Sequence, residues 1–311
     1  RAAGVEVINN TGAPGSSVTV RIRGMGTLNA GSQPLYVVDG FIMGDQTFGK
    51  DGGNIPDNKM GINFIDPNDI ESVEVLKDAS AAAIYGARGA NGVVLITTKK
   101  GKKGKAKVDF EAFRGVQTLA RKYDLLNAQQ FRGYVDGFVA ARGAYPNYDS
   151  EMPIEQETDW IDAITDDATI QSYSLAVSGG SDFVTYRIST SYFDQDGLIP
   201  AANFDRFSIK LSSEQKLNDR IKSGQNIVVS RSVRNRIPGE GSILAGAMMA
   251  DPGAAVYDNT GNWNELILTS QAGNPVGVME RNNYLYESFR YFGTAFLNVE
   301  LIKDLNWNSR V

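Results

Sequence analysis

The chain has 311 residues and carries 31 Lys and Arg against 36 Asp and Glu, a formal net charge of −5. It contains no Cys and no His, which removes thiol nucleophiles, Cys/His zinc sites and histidine bases but leaves an all-carboxylate metal or glycosidase site open. The acidic balance argues against nucleic-acid binding, and no apolar run reaches the roughly 20 residues of a membrane helix, a criterion that does not touch β-barrels.

Val5, Val7 and Ile8 mark a short strand, and Thr11–Ser17 reads as a loop of small residues. Val18, Val20 and Ile22 alternate with Thr19, Arg21 and Arg23 at a period of two. A polar loop follows, and then Leu35–Val38, a strand closed by the turn dipeptide Asp39-Gly40. Phe41–Gly61 is long and glycine-rich, either an ordinary surface loop or one aimed at a substrate. The densest stretch is Asn68–Lys99. Ile70, Val73, Val75 and Leu76 give a strand. Asp78 suits the N-cap of a helix over Ala79–Tyr85, Gly86 its C′ position, and Asn91-Gly92 a turn. Val93–Thr98 is β-branched and reads as a strand buried on both faces. Asp66, Asp69, Glu71 and Glu74 form an acidic cluster that turn and strand geometry explains. Lys99–Lys107, KKGKKGKAK, is a basic, solvated linker.

From Lys107 onward, segments of about ten residues alternate in polarity between turns, the pattern of an outer-membrane barrel. In Arg206–Leu217, Phe207, Ile209, Leu211 and Leu217 fall on one face, with Arg206, Ser208, Lys210, Ser212, Glu214 and Lys216 on the other. Val184, Tyr186, Ile188 and Tyr192 oppose Thr185, Arg187, Ser189 and Ser191. Tyr173, Leu175 and Val177 oppose Ser172, Ser174 and Ser178. Glu287–Ile302 shows one apolar and one mixed face, and Val108–Gln117 and Ile221–Ser232 are weaker examples. Gly179–Asp182, Asn218–Arg220 and Lys303–Asn306 read as tight connections. Thr118–Ile170, Asp194–Asp205 and Val233–Tyr286 read as long ones, alternating with the tight ones as periplasmic turns alternate with extracellular loops. The first long loop holds an expected helix near Ala128–Arg142. The third carries Tyr257 and Trp263, aromatic residues suited to stacking on a substrate or to packing the loop on itself.

GARGANG, Gly86–Gly92, lies between a helix and a strand and lacks a G-K-[ST] ending, so it is a turn and not a phosphate loop. No nucleophile–base pair stands out, and no cofactor is called for. The chain begins with Arg and stops inside a strand-like pattern, and it is read as a fragment at both ends.

PNDIESVEVLKDASAAAIYGARGANGVVLITTKKGK, SVTVRIRG, PLYVVDG and the SGGS tetrad at Ser178–Ser181 occur in that framework. Together they resemble the SusC/RagA family of TonB-dependent outer-membrane transporters. The resemblance runs from about Gly4 to at least Arg234. It implies an N-terminal α/β plug domain over residues 1–101, then the incomplete N-terminal part of a transmembrane β-barrel over residues 102–311, the first six or so of about 22 strands. The plug motif would include Asp39, Gly40, Asp78, Tyr85, Gly86 and Gly92. Arg23 and Arg88 would pair with barrel carboxylates. The resemblance implies import of oligosaccharides or oligopeptides across the outer membrane, driven by TonB, beneath a SusD-like surface lipoprotein. A siderophore or cobalamin receptor, and a soluble β-rich carbohydrate-binding protein, are the alternatives.

Overall fold

The computed structural model describes residues 5–9, 12–16, 18–22, 33–43, 64–78, 82–143, 154, 156–237, 240–264, 273–281, 284–303 and 305–310. The N-terminal part holds two small sheets. Strands β1 (Val5–Asn9) and β2 (Val18–Ile22) form an antiparallel pair with Val7 opposite Val20. Strands β3 (Leu35–Val38), β4 (Phe41–Ile42), β5 (Ile70–Leu76) and β6 (Val93–Thr98) form a second sheet in the order β4-β3-β6-β5. Only β3 and β6 run parallel. Strand β6 is central, and its Val-Val-Leu-Ile run leaves Val93, Val94 and Ile96 buried, as a strand covered on both faces must be.

The helix expected after Asp78 is realised differently. Ala82 N–H donates to the Asp78 carbonyl at 3.0 Å, one α-type turn, after which Ala83–Gly89 tightens into a 3-10 segment. Gly86 has φ 63°, as a C′ glycine would, but the chain resumes 3-10 turns beyond it. Residues 79–81 lie outside the described residues. Tyr85 packs with Val37, Ala82 and Val93. Gly92, at φ 88°, sits where an added Cβ would come 2.7 Å from Ile22 Cδ1, whereas nothing lies within 4 Å of one at Gly86. Gly92→Ala is therefore expected to destabilise this unit by more than the ~1–2 kcal/mol backbone cost alone, and Gly86→Ala by that cost only. Urea unfolding of both variants in the full-length protein checks the order.

The remainder is a seven-stranded antiparallel meander. Its strands are β7 (Gly104–Gln117), β8 (Ala168–Gly180), β9 (Val184–Asp196), β10 (Asn203–Lys216), β11 (Ile221–Arg236), β12 (Tyr284–Ile302) and β13 (Leu305–Arg310). Each strand pairs with its sequence neighbour. Residues 181–183, residues 217–220 and Lys303 lie in the tight connections and cluster at one end: Lys216 N–H donates to the Phe183 carbonyl, and Glu300 N–H to that of Arg220. At the other end residues 118–167 and 237–283 are long. The expected long loop at Asp194–Asp205 is corrected to residues 197–202, because β9 and β10 stay paired out to Asp196 and Asn203.

The long connections fold on one another. They carry helices α1 (Ala128–Arg142), α2 (Trp160–Ile164), α3 (Glu240–Met249) and α4 (Pro275–Arg281). Helix α1 has the bounds read from its apolar spacing, set by a capping box between Asn127 and Gln130 and by Gly143 at φ 83°. Trp160, Ile164, Ile237, Ile243, Ala247 and Val276 form an apolar core joining α2, α3 and α4. The Trp160 indole N–H donates to the Asp251 carbonyl at 2.8 Å.

Candidate functional site

The meander is inside out by the standard of a soluble protein. On β10, Arg206, Ser208, Lys210 and Ser212 are each 7% exposed or less, while Phe207 and Ile209 are 47% and 44% exposed. Strand β9 buries Arg187, Ser189 and Ser191 and exposes Ile188 and Tyr192; β8 buries Ser174 and exposes Tyr173 and Leu175. Burying serines and charges while leaving Phe and Ile out is unfavourable against water. Against hydrocarbon outside and a polar lumen inside, it is the required arrangement. The outward rungs are banded. Tyr173, Tyr192, Phe207 and Phe289 belong to an aromatic rung through Arg231; toward the long loops the next rung holds Gln171, Asp194, Asp205 and Glu287. Apolar residues continue the other way through Ile209, Leu211 and Ile227.

The N-terminal unit lies against the polar face, and it touches that face largely through carboxylates. A 3-10 turn at Pro67–Asp69 aims Asp69 at the wall. Asp66 caps the turn, its Oδ1 accepting from Asn68 N–H at 2.8 Å. Asp69 Oδ1 accepts from Arg187 Nη2 at 3.2 Å and Nε at 3.4 Å, and Asp69 Oδ2 accepts from Ser189 Oγ at 2.6 Å. Both charged side chains are at least nine-tenths buried. Asp39 makes a second latch. It sits at φ 49°, unusual for a residue with a side chain. Its Oδ1 accepts from Thr98 N–H at 2.9 Å and its Oδ2 from Thr98 Oγ1 at 2.7 Å, tying β3 to β6. The same Oδ2 accepts from the Asn226 amide on β11. Between the two latches the Lys210 ammonium donates to the Lys99 carbonyl at 2.9 Å.

A small apolar contact adds to these. Val228 and Phe292 of the wall join Ile22, Val38, Phe64 and Ile96 in one cluster, with Phe292 6.2 Å from the Phe41 ring and 6.3 Å from that of Phe64. The exposed Lys100–Glu214 pair at 2.7 Å contributes at most about 1 kcal/mol.

The expected contact residues fare differently. Arg23 lies outside the described residues. Arg88 is exposed at the end of the 3-10 segment and shows no ion pair among the described residues. The observed latches have the opposite polarity, with the carboxylate on the N-terminal unit and the cation or amide on the wall. Sequence reasoning placed Arg187 and Lys210 on the polar faces of their strands but took Asp69 as one of an acidic cluster explained by turn and strand geometry. Its position beside Pro67 was the available signal. In the third long connection Tyr257 and Trp263 face each other in an isolated bridge. Asp258 holds the intervening turn by accepting from Thr260 Oγ1, Thr260 N–H and Asn262 N–H, and these donors keep its carboxyl below the usual range. Trp263 packs over Gly277, lies 4.2 Å below the Arg281 guanidinium and donates to Glu280, while Tyr257 is half exposed. No group of three or more acidic side chains among the described residues is placed to hold a metal.

The TonB-dependent Receptor Plug Domain model matches residues 1–93. TonB-dependent receptor P3 of Formosa agariphila is 36% identical over 312 residues, covering 96% of this chain and 28% of that protein. SusC of Bacteroides thetaiotaomicron is 33% identical over 285 residues, covering 88% of this chain and 27% of SusC. The RagAB peptide importer in its open-open state superposes with a TM-score of 0.78 at 27% identity, over all of this chain and 37% of that one. The chain belongs to the SusC/RagA family of TonB-dependent receptors. The N-terminal unit is thus a plug domain, the meander a portion of an outer-membrane β-barrel, and the polar face its lumen. The chain spans little more than a quarter of the length of these curated SusC/RagA-type relatives.

Proposed function

We propose that this chain is the plug and the first part of the barrel wall of an active importer, not of an enzyme. The importer takes up oligosaccharides or oligopeptides across the outer membrane. TonB supplies the pull, and a SusD-like surface lipoprotein shares the substrate at the long-loop end. SusC, a TonB-dependent receptor, and the RagAB peptide importer, as relatives, support the TonB dependence and the peptide end of the cargo range. The domain boundary we assign is the basic linker near Gly101, where the chain passes directly against the β9 backbone at Tyr186.

The observation that carries this reading is the character of the plug–wall contact. A plug that must leave the lumen needs a contact that excludes leakage at rest yet reforms reversibly. The polar latches at Asp39, Asp69 and the Lys99 carbonyl meet that need: each displaced donor and acceptor is satisfied by water once the lumen opens, whereas a large apolar interface would resist opening. We place Arg23 and Arg88 at this interface only as secondary contacts, and Tyr257 and Trp263 as contacts for cargo at the loop end. No observation on the wall favours a siderophore receptor specifically, and the outward apolar band favours a membrane protein over a soluble carbohydrate binder.

Tethering the plug tests the reading. A Cβ on Gly15 would lie 2.6 Å from Phe204 Cγ on the lumen face of β10, within disulfide reach of roughly 4 Å between β-carbons. The chain has no other Cys. Cells carrying Gly15→Cys with Phe204→Cys in the full-length transporter are expected to lose cargo uptake when oxidised and regain it with reductant, while surface binding persists. Undiminished uptake with the cross-link complete would contradict a plug that moves.

A further inference from the structure

We propose that the cargo of this transporter is anionic, an oligomer bearing carboxylate or sulfate groups; the proposal rests on the import reading above. On the loop-end rungs of the wall the inward face is cationic, while the outward face mixes both signs, Arg231 pairing there with Glu287. Arg206 faces inward on a rung with Ser172, Phe193 and Ser288, linked through Ser232. Arg234 faces inward one rung closer to the loops, opposite Phe204 and Tyr286, and Arg236 one rung beyond, opposite Tyr284. From the Arg206 rung to the loops, the inward positions of the described strands β7–β12 hold these guanidinium groups and no carboxylate. The same strands turn Asp194, Asp205 and Glu287 outward. Inward carboxylates appear only nearer the plug, at Glu111, Asp109, Glu214 and Glu300.

Neighbouring like charges repel, and a lumen with low-dielectric walls focuses their field. Arg206 and Arg234 are diagonal neighbours on paired strands, within the roughly 7–8 Å over which such positions interact. Arg206 lies 5.6 Å over the Phe193 ring, and Arg234 and Arg236 have partners of their own within the chain. Arg290 continues it inward, opposite Ser230. Farther down come Arg187 and Lys210, which the plug already satisfies with the Asp69 carboxylate and the Lys99 carbonyl. The plug is in this sense the resting anionic occupant of a cationic track. When it withdraws, an oligomer carrying its own carboxylates or sulfates offers Arg187 and Lys210 the same partners and moves from cation to cation. A neutral oligomer would offer those cations no counter-charge and leave them to water alone.

Binding to the purified full-length transporter, measured by titration calorimetry, tests this with matched probes: tetragalacturonate against maltotetraose, and a tetra-aspartyl peptide against its tetra-asparaginyl counterpart. The anionic member of at least one pair is expected to bind about tenfold tighter or more, with the margin shrinking as salt rises. The combined Arg234→Gln, Arg236→Gln and Arg290→Gln variant should lose that margin, and the corresponding triple Lys variant should keep it. Equal or tighter binding of both neutral members, or a margin that survives the Gln variant, overturns the proposal. Uptake of the same probes with and without TonB reads the import reading separately. TonB-dependent entry of neutral probes alone removes the charge proposal and leaves import standing, whereas entry that ignores TonB removes import.

Discussion

Asp69→Ala is expected to loosen the plug from the wall by about 3–5 kcal/mol. The substitution leaves the Arg187 guanidinium buried without its carboxylate and strips Ser189 Oγ of its acceptor. The attraction of the pair itself is a poor measure of that loss, since removing both ions from water already offsets much of it. What is costly is the lone cation that remains. The double variant Asp69→Asn with Arg187→Gln should therefore be milder than Asp69→Ala, because two neutral amides of similar size replace the ion pair. Hydrogen exchange of β5 and β6 in the full-length protein reads the effect. Fast exchange in Asp69→Ala with partial recovery in the double variant is the expected result. Equal exchange in wild type and Asp69→Ala would mean that this latch does not hold the plug.

Ile209→Arg is expected to cost about 2–4 kcal/mol of barrel stability, and Asp205→Arg about 0–1 kcal/mol. Both positions point outward on β10, two rungs apart. Ile209 lies inside the apolar band and Asp205 at its loop-side edge, where a long cationic side chain reaches the interface. From the Asp205 rung to that of Ser213 the strand spans eight residues, about 27 Å along its axis. At the tilt of such strands this approaches the ~25 Å apolar height of outer-membrane barrels. Ser208 is not a neutral inward control: it is buried under the plug and bonded to Ser191 Oγ at 2.7 Å, so an arginine there would overpack the interface. Folding into lipid vesicles, followed by the heat-modifiable shift of the folded barrel, measures the two costs. Equal costs at Ile209 and Asp205 would place the membrane elsewhere on the wall.

The wall was legible in the sequence because two solvents act on alternate residues. Period two in Phe207-Ser208-Ile209-Lys210 is imposed at every step by hydrocarbon on one side and lumen on the other, and strand register follows from it. Helix α1 was legible for a similar reason, its apolar spacing ending at Gly143. The polarity of the latches was not legible. Asp69 meets Arg187 only after β5, β6 and the linker have folded back along β9, and no local pattern records that encounter. Of the helix expected over Ala79–Tyr85, residues 79–81 lie outside the described residues, and Ala83–Tyr85 take tighter 3-10 turns, packed near Val37 and Val93, before Gly86 leaves helical geometry at the expected C′ position. The connection between β9 and β10 looked long because the polar ends of those strands, Asp194 to Asp196 and Asn203 to Asp205, resemble loop sequence while remaining paired.

Single cysteines placed in turn from Asp205 to Ser213 in the full-length transporter, each labelled with a fluorophore and challenged with a quencher confined to the lipid phase, test the inside-out wall most directly. Labels at 207, 209 and 211 should be quenched strongly and those at 206, 208, 210 and 212 weakly, with 205 and 213 marking where quenching at the odd positions fades. Uniform quenching along the strand, or stronger quenching at the even positions, would contradict a wall that turns its serines, arginines and lysines toward the plug and its aromatic and aliphatic residues toward lipid.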